Sequence, residues 1–371
     1  MDTPSPNEWL TVDVIAPALR RMVGDIVHIS DQWTAQQLPG GRSDALGVWR
    51  IAGTMTRSSE EQQWSMVLKG FDTAGKSDSP SAFNWQLREA DLYRSGVLNN
   101  LQSVFAPAYY GSFDHGQSTW VWLEDLTGVR QPDWALERYA TAARLLGQFN
   151  GSYLSGRELP KQRSLSKRWL AGLVSANPDT MIVLEDYIHH PFVAAVLPPG
   201  VRSAYSHIWD RREDILNELD NMPQTFCHLD AYHRNSFFRE TDGNEELVLI
   251  DWSFAGRGAI GEELVALCVA GGVFDPKMLG KLDQIESVAF PAYIEGLRDM
   301  GWSGEEERVW RAYRSAAILR FGPGTLQPLL PWLTSEKGRM EMADAFGLPI
   351  EQFQDHMARL FQWVADNAED I

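Results

Sequence analysis

The chain has 371 residues, of which 44% are hydrophobic and 22% are charged, and this apolar content is enough to bury a large core in more than one compact unit. Its formal net charge of −17 argues against nucleic acid or an anionic membrane as the main partner. A cationic small partner is compatible with that charge, although most acidic proteins are simply well solvated.

The two cysteines, Cys227 and Cys268, stand in apolar runs and are expected to be buried free thiols rather than a disulfide or metal pair. The first six residues lack a basic region followed by an apolar run, so no signal peptide is predicted. No stretch approaches the ~20 apolar residues of a membrane-spanning helix. Together these features predict a cytoplasmic protein that does not enter a membrane.

The first third of the chain is predicted to hold most of the strands. Apolar residues at helical spacing predict a helix over 9–23, and a second helix is expected over 83–95. Strand-like segments occupy 27–37, 47–51, 64–69, 101–110 and 119–123. Polar loops are expected over 54–61 and 70–80. The strands are predicted to form an antiparallel sheet that ends at a hinge over 124–128.

The remainder of the chain is predicted to be mostly helical. Helices are expected over 133–153, 200–220, 262–270 and most of 277–371. Among them, the turn Thr241-Asp242-Gly243-Asn244 lies between two apolar runs, which is a strong signal for a β-hairpin.

This order of elements predicts an α+β protein with two lobes. Residues 1–125 are expected to form a smaller, sheet-containing lobe, and residues 126–371 a larger, mainly helical one. A cleft between two such lobes is the expected place for a ligand.

The segment from His228 to Asn235 and the hairpin after it carry the strongest chemical signal. Pairing of the hairpin strands brings Asn235, just before the first strand, beside Asp251, just after the second. Mg²⁺ prefers oxygen ligands and leaves room for phosphates and water, so an amide oxygen and a carboxylate suit it. Asp230 can lie near such a site and accept a proton from a hydroxyl group. The pattern therefore predicts phosphoryl transfer from a nucleotide triphosphate bound with Mg²⁺.

The joint pattern, rather than any one residue, supports this prediction. Asp and Asn are common loop formers, so each alone is more often structural. H-x-D-x-x-x-x-N followed by an Asp-Gly hairpin and Ile250-Asp251-Trp252 is much more specific. His228 is expected to anchor the loop by hydrogen bonds.

In the first lobe, Lys69 ends the third predicted strand and Glu89 lies on the helix that follows. In phosphoryl-transfer enzymes a lysine and a glutamate so placed form an ion pair, and the lysine binds the phosphates. Asp91 is the alternative partner of Lys69.

Two glycine-rich segments are candidates for phosphate binding. The first joins the first two strands, and its backbone amides can cover phosphates, although Gly-Gly also serves any tight turn. Its residues of interest are Gly40, Gly41 and Ser43. The second, Gly256–Gly261, matches G-x-G-x-x-G, but helix is predicted after it where a dinucleotide fold needs a further strand. No Walker-type G-x-x-x-x-G-K-[ST] motif occurs in the sequence.

These motifs resemble those of the aminoglycoside phosphotransferase and choline kinase superfamily, small-molecule kinases with a protein-kinase-like fold. Segment 228–235 is similar to the family's H-x-D-x-x-x-x-N, and segment 250–258 to its I-D-W-x-x-A-G-x-G. The resemblance implies a two-lobed protein-kinase-like fold, with Asp230 as the catalytic base and Asn235 and Asp251 as magnesium ligands.

The resemblance also implies roles for residues outside these two segments. Lys69 and Glu89 match the family's third-strand lysine and its helix partner, and residues 121–126 match the linker that meets the adenine. At Glu263, the family usually has an Asp that supports the catalytic loop from behind. The longer Glu263 is expected to do so with altered geometry.

The resemblance extends over residues 27–270, and the helical region after it carries none of the family's motifs. In this superfamily such a region often shapes the acceptor pocket, so the resemblance does not identify the acceptor. The candidate acceptors are an aminoglycoside-like antibiotic, a sugar, an amino alcohol and a biosynthetic intermediate. The resemblance implies ATP as phosphoryl donor and Mg²⁺ as cofactor. The alternative is a kinase-like nucleotide-binding or regulatory protein without turnover.

Overall fold

The computed structural model describes residues 6–24, 28–38, 45–73, 79–129 and 134–370. Strands dominate the first third of the chain and helices the remainder, which confirms the predicted two-lobed α+β class. The strands of the described residues are β1 (His28–Gln37), β2 (Ala45–Arg57), β3 (Glu60–Asp72), β4 (Val104–Phe105), β5 (Tyr109–His115), β6 (Ser118–Glu124), β7 (Gln224–Cys227), β8 (Ser236–Thr241), β9 (Asn244–Leu249) and β10 (Gly256–Ala259).

The α-helices of the described residues lie mostly after the sheet. They are α1 (Val12–Val23), α2 (Arg88–Ser95), α3 (Leu136–Leu154), α4 (Trp169–Ser175), α5 (Thr180–Tyr187), α6 (Pro191–Val196), α7 (Pro199–Asp210), α8 (Arg212–Asp220), α9 (Glu263–Val265), α10 (Gly271–Val273), α11 (Pro276–Leu279), α12 (Leu282–Asp299), α13 (Glu306–Phe321), α14 (Pro323–Thr334), α15 (Glu336–Phe346) and α16 (Ile350–Asp366). In the part of the chain described, none of them combines the length and apolar character needed to cross a membrane.

An antiparallel sheet with the strand order β1-β2-β3-β6-β5 forms the N-terminal lobe. One of its faces packs against α1 and buries large side chains from neighbouring strands, among them Trp49, Ile51 and Met66. β3 is the central strand of this sheet, and it carries Lys69.

The segment 54–61, predicted as a polar loop, is instead the end of β2 and the start of β3. Met55 is buried and continues the alternation of Trp49 and Ile51. Ser58 and Ser59 have φ values of 51° and 69°, the left-handed pair of a two-residue hairpin turn. The prediction was wrong because the other face of this hairpin is polar, which hides the alternation.

The segment 101–110 does not form one strand of the sheet, as was predicted. Only its last residues enter the sheet, at the start of β5. β4 instead pairs in parallel with β9, so that Val104 lies opposite Leu247 of the C-terminal hairpin. This pairing joins the two lobes, and no local pattern predicts it because the partners are far apart in the chain.

The core of the C-terminal lobe is built on the closely packed pair α3 and α12. A Cβ atom at Gly147 would lie 2.2 Å from the carbonyl oxygen of Tyr293, so only glycine allows this approach. Within this core, Asn150 donates to the carbonyl oxygen of Phe226 at 2.9 Å and accepts from the Tyr293 hydroxyl at 2.7 Å. These bonds hold β7, the strand that leads into the loop over 228–235.

Several predicted helix boundaries were wrong. The helix expected over 200–220 is two helices, α7 and α8, which are separated at Arg211. The helix expected over 262–270 consists of α9 and a π-helical segment, Ala266–Ala270. The helix before the hinge begins at Arg88 rather than at Phe83. The lobe boundary at residue 125 stays a prediction.

Candidate active site

The loop between β7 and β8 contains the residues of the H-x-D-x-x-x-x-N motif. The ring of His228 is fully buried, and its Nε2 donates to the carbonyl oxygen of Ile250 at 2.9 Å. Its Nδ1 accepts from the backbone N–H of Asp230 at 3.2 Å. Burial lowers the pKa of His228 to about 4, so the neutral ring can hold both bonds. His228 thus ties the loop to the end of β9.

The carboxylate of Asp230 is held at both of its oxygens. Oδ2 accepts from Nδ2 of Asn235 at 2.8 Å, and Oδ1 accepts from Nη2 of Arg320 at 3.1 Å. Burial raises the pKa of Asp230 to about 6, against the lowering effect of the Arg320 guanidinium. Each oxygen keeps a second lone pair, so the group can still accept a hydrogen bond from a hydroxyl.

Asn235 and Asp251 are brought together by the hairpin. The register pairs Ser236 with Leu249, and the N–H of Ile250 donates to the carbonyl oxygen of Asn235 at 2.9 Å. Asp251 then turns out of the hairpin with a φ of 61°. Its Oδ1 accepts from the hydroxyl of Ser253 at 2.6 Å.

The pKa of Asp251 is about 2, because Lys69 and Ser253 outweigh the raising effect of burial. Asp251 therefore stays ionised. Together with the amide oxygen of Asn235 it offers a hard oxygen donor set that fits Mg²⁺. Two such oxygen donors would leave the remaining positions of the ion to phosphates and water. Among the described residues, no group of three or more His, Cys, Asp or Glu side chains is arranged to hold a metal without such help.

Lys69 lies within β3 rather than at its end, paired with Val121 of β6. Its Nζ is 2.6 Å from Oε2 of Glu89 on α2 and 3.2 Å from Oδ1 of Asp251. Burial lowers the pKa of Lys69, but the two carboxylates outweigh it, so the pKa lies above its ordinary value. The alternative partner Asp91 accepts instead from Nε1 of Trp85 at 3.1 Å.

Glu263 contacts the backbone of the loop between β7 and β8. Its Oε2 accepts from the N–H of His228 at 2.7 Å, and its Oε1 accepts from the N–H of Leu229 at 3.1 Å. Leu229 has a φ of 65°, which is unfavourable for a residue with a side chain. Burial raises the pKa of Glu263 to about 7. One carboxylate thus holds two consecutive amides where the backbone is strained.

The linker at 121–126 is held from both lobes. Nε of Arg50 on β2 lies 2.6 Å from Oδ2 of Asp125. Nη1 of Arg239 on β8 lies 2.6 Å from Oε1 of Glu124. The two ion pairs keep the end of β6 in a defined place beside the cleft.

Two arginines at the site were missed at the sequence level. Arg88 is fully buried beside Glu89, and it joins α2 to the segments on either side of the cleft. It donates to the carbonyl oxygens of Ser164 (2.7 Å), Phe83 (3.0 Å), Ser253 (2.5 Å) and Ala82. Arg320 comes from α13, in the region without family motifs. No sequence signal marks either one, because a buried arginine is recognised by what surrounds it.

The structure describes the second of the two glycine-rich segments. Gly40, Gly41 and Ser43 lie outside the described residues. Gly256 and Gly258 belong to β10, which pairs antiparallel with β7, so they do not open a βαβ unit. A Cβ atom at Gly256 would lie 2.3 Å from the carbonyl oxygen of Ser166, which explains the glycine by close backbone packing.

No family model matches the chain, and no curated protein matches it in sequence. Solved structures do match it in fold. The amicoumacin kinase hAmiN, in complex with AMP-PNP, Ca²⁺ and Ami, is 12% identical, with 93% of this chain and 96% of that chain covered and a TM-score of 0.50.

A microcompartment-associated aminopropanol kinase is 11% identical, with 94% of this chain and 98% of that chain covered and a TM-score of 0.54. An aminoglycoside phosphotransferase from Alicyclobacillus acidocaldarius is 13% identical, with 91% and 93% covered and a TM-score of 0.46. Because the first two structures are only 12% and 11% identical to this chain in sequence, the similarity concerns the fold alone. It confirms the predicted fold. The chain has the two-lobed fold of these small-molecule kinases.

Proposed function

We propose that the protein is an ATP- and magnesium-dependent phosphotransferase that phosphorylates a hydroxyl group of a small molecule. The observation that carries this proposal is the contact of one buried ammonium group, Nζ of Lys69, with both Glu89 (2.6 Å) and Asp251 (3.2 Å). Beside this cluster, the amide of Asn235 holds the carboxylate of Asp230. The candidate phosphate-binding cation, the candidate metal ligands and the candidate base are thus close to one another, and this supports the proposal.

The similarity in fold supports the proposal that the protein binds a nucleotide and a divalent metal ion. The amicoumacin kinase with a similar fold is in complex with AMP-PNP and Ca²⁺, a nucleotide analogue and a divalent cation. Asn235 and Asp251 would hold Mg²⁺ here, which when bound neutralises charge on the transferring phosphoryl group. We further propose residues 1–125 as the nucleotide-binding lobe and residues 126–371 as the lobe with the catalytic loop and the acceptor pocket.

Each of the candidate residues then has its own role in the proposed reaction. Lys69, oriented by Glu89, binds the phosphates of the nucleotide. Asp230 orients the acceptor hydroxyl and accepts its proton while the hydroxyl oxygen bonds to the terminal phosphorus. The bond from that phosphorus to the bridging oxygen breaks, and ADP leaves with the electron pair. Positioning and charge neutralisation supply most of the acceleration in such a reaction.

The acceptor class is the finer part of the proposal. Hydroxyl compounds that also carry an amine are the first candidates. Two structures with a similar fold are named amicoumacin kinase and aminopropanol kinase, and the net charge of this chain is −17. Sugars and neutral biosynthetic intermediates form the second group.

The test is an assay of ATP consumption against a library of hydroxyl compounds, with Mg²⁺ and with a chelator, followed by identification of the phosphorylated product. Asp230→Asn should keep nucleotide binding and lose turnover by ~10² or more, the scale of a lost general base. The control is Asp355→Asn, which changes an exposed carboxylate on α16.

Turnover of Asp230→Asn within a few-fold of the unchanged protein would refute the role of Asp230 as base. Nucleotide binding without turnover on any compound would instead support the alternative, a kinase-like protein that binds nucleotide and does not transfer phosphate.

A further inference from the structure

Arg320 contacts two neighbouring groups of the catalytic loop from α13. Its Nη1 donates to the carbonyl oxygen of Leu229 at 2.7 Å, and its Nη2 donates to Oδ1 of Asp230 at 3.1 Å. Both bonds come from one planar group, so they fix the side chain of Asp230 relative to its own backbone.

The guanidinium is itself held in place. It lies over the rings of Trp169, Phe254 and Phe321, at 4.6, 5.8 and 5.3 Å from their centroids. The Arg320 side chain is only 11% exposed, so few other orientations are open to it. Aromatic faces favour a guanidinium above an ammonium at such a place, because its flat cation stacks on them.

The contact falls where the loop is strained. Leu229, with its φ of 65°, is bound from one side by Glu263 at its N–H and from the other side by Arg320 at its carbonyl oxygen. The second oxygen of Asp230 is bound by Asn235. Without Arg320, Oδ1 would lose its fixed partner and the carboxylate could rotate away from the acceptor.

A contribution to stability does not by itself explain the ion pair of Arg320 and Asp230. A buried ion pair loses about as much by desolvation as it gains by attraction, and apolar side chains of similar volume stabilise a core as well or better. Two apolar residues in place of Arg320 and Asp230 would therefore stabilise the packing between α13 and the loop equally well. They would not orient a carboxylate.

We propose that Arg320 is a positioning residue for the reaction: it holds the carboxylate of Asp230 in the orientation in which it accepts the proton of the acceptor. The proposal rests on the proposed function. It gives the C-terminal region, through α13, a part in the chemical step as well as in shaping the acceptor pocket.

The test compares Arg320→Ala with Arg314→Ala. Arg314 is buried on the same helix and pairs with Glu286 at 2.9 Å, away from the catalytic loop. Arg320→Ala should lower kcat by ~10², the effect of about 1 Å of misplacement, and leave KM for ATP with Mg²⁺ within about twofold. Arg314→Ala should lower the melting temperature and keep the kcat of the folded protein.

Chemical rescue supplies the second readout. Millimolar guanidinium chloride, far below denaturing concentrations, should restore kcat of Arg320→Ala by about tenfold because the ion can occupy the space between the aromatic rings. The same concentration of sodium chloride should not. If Arg320→Ala does not fold, Arg320→Lys replaces it and is expected to lose about tenfold in kcat, since one ammonium cannot reproduce the two-point contact.

Some outcomes would overturn the proposal. One is a kcat of Arg320→Ala, or of Arg320→Lys where that variant is used, within about threefold of the unchanged protein. Another is an equal loss of kcat in Arg314→Ala, which would make the effect one of general stability. Failure of the proposed function looks different, because the unchanged protein then transfers no phosphoryl group to any acceptor.

Discussion

Lys69 and Asp251 belong to different lobes, and Nζ of Lys69 lies 3.2 Å from Oδ1 of Asp251. Glu89 shares the same ammonium, at 2.6 Å. One cation on β3 therefore contacts both a helix and the segment that follows the hairpin of β8 and β9. The contact therefore lies at the point in the cleft where charged side chains of the two lobes meet. Under the proposed function, this is where the charged nucleotide would bind.

Asp251→Ala should weaken binding of AMP-PNP in the presence of Mg²⁺ by about tenfold or more, because a charged oxygen ligand and a partner of Lys69 are lost together. Isothermal titration calorimetry measures the affinity. The exposed Asp355 on α16 provides a control, Asp355→Ala, which should bind as the unchanged protein does. An unchanged affinity of Asp251→Ala would refute the assignment of Asp251 as a metal ligand.

Glu263→Asp, which introduces the residue usual in the resembling family, should lower kcat by about tenfold. The shorter side chain cannot reach both N–H groups, and an unsatisfied buried N–H costs about 1–3 kcal/mol, here at the strained Leu229. Steady-state kinetics with the identified acceptor gives the value.

The neighbouring Glu262 is the matched control for this change. Its Oε2 accepts from the N–H of Ala259 at 2.5 Å rather than from the catalytic loop. Glu262→Asp should therefore keep most of the kcat. Equal kcat in the two variants would mean that the loop does not depend on the reach of Glu263.

Arg88→Met should lower the free energy of unfolding by about 3 kcal/mol or more, because several buried carbonyl oxygens lose a charged donor at once. Urea denaturation measures the change. Arg94, at the exposed end of the same helix, bonds to Ser112 and Asp114 near solvent, so Arg94→Met should cost less than about 1 kcal/mol. Similar losses for both arginines would contradict a special role of Arg88 in joining α2 to the cleft.

His356 should make stability fall below neutral pH. It is buried, its Nε2 donates to the carbonyl oxygen of Val273 at 2.9 Å, and burial lowers its pKa below 6.5. As the pH falls through about 6.5, the unfolded chain takes up a proton that the folded chain does not, so the free energy of unfolding decreases. The decrease ends once the pH passes the folded-state pKa.

His356→Gln keeps a donor for Val273 and does not titrate. The difference in the free energy of unfolding between the unchanged protein and this variant should be constant above about pH 7.5 and should shrink towards about pH 5. Urea denaturation across this range measures it. A difference that does not vary with pH would show that His356 has the same pKa in the folded and unfolded chain.

Local patterns predicted the elements whose two halves are neighbours in the chain. The hairpin of β8 and β9 is an example, since Asp242 and Gly243 adopt the positive φ values of 51° and 77° that their residue types favour. The turn at Ser58 and Ser59 has a similar conformation but was not predicted, because serine is an uncommon residue there. A hairpin turn can be predicted from the sequence only where its residues, such as Asp-Gly, are of types that favour positive φ values.

The amino-acid sequence by itself determined the order of elements and the local set of Asp230, Asn235 and Asp251, because one loop and one hairpin bring these residues together. Only the tertiary structure decided which cations join them. Lys69 contacts Asp251 from β3 and Arg320 contacts Asp230 from α13, and a residue on a distant strand or helix carries no local sign of such a partner. Their contacts depend on how distant elements pack, and packing is a property of the whole core rather than of any stretch of the chain.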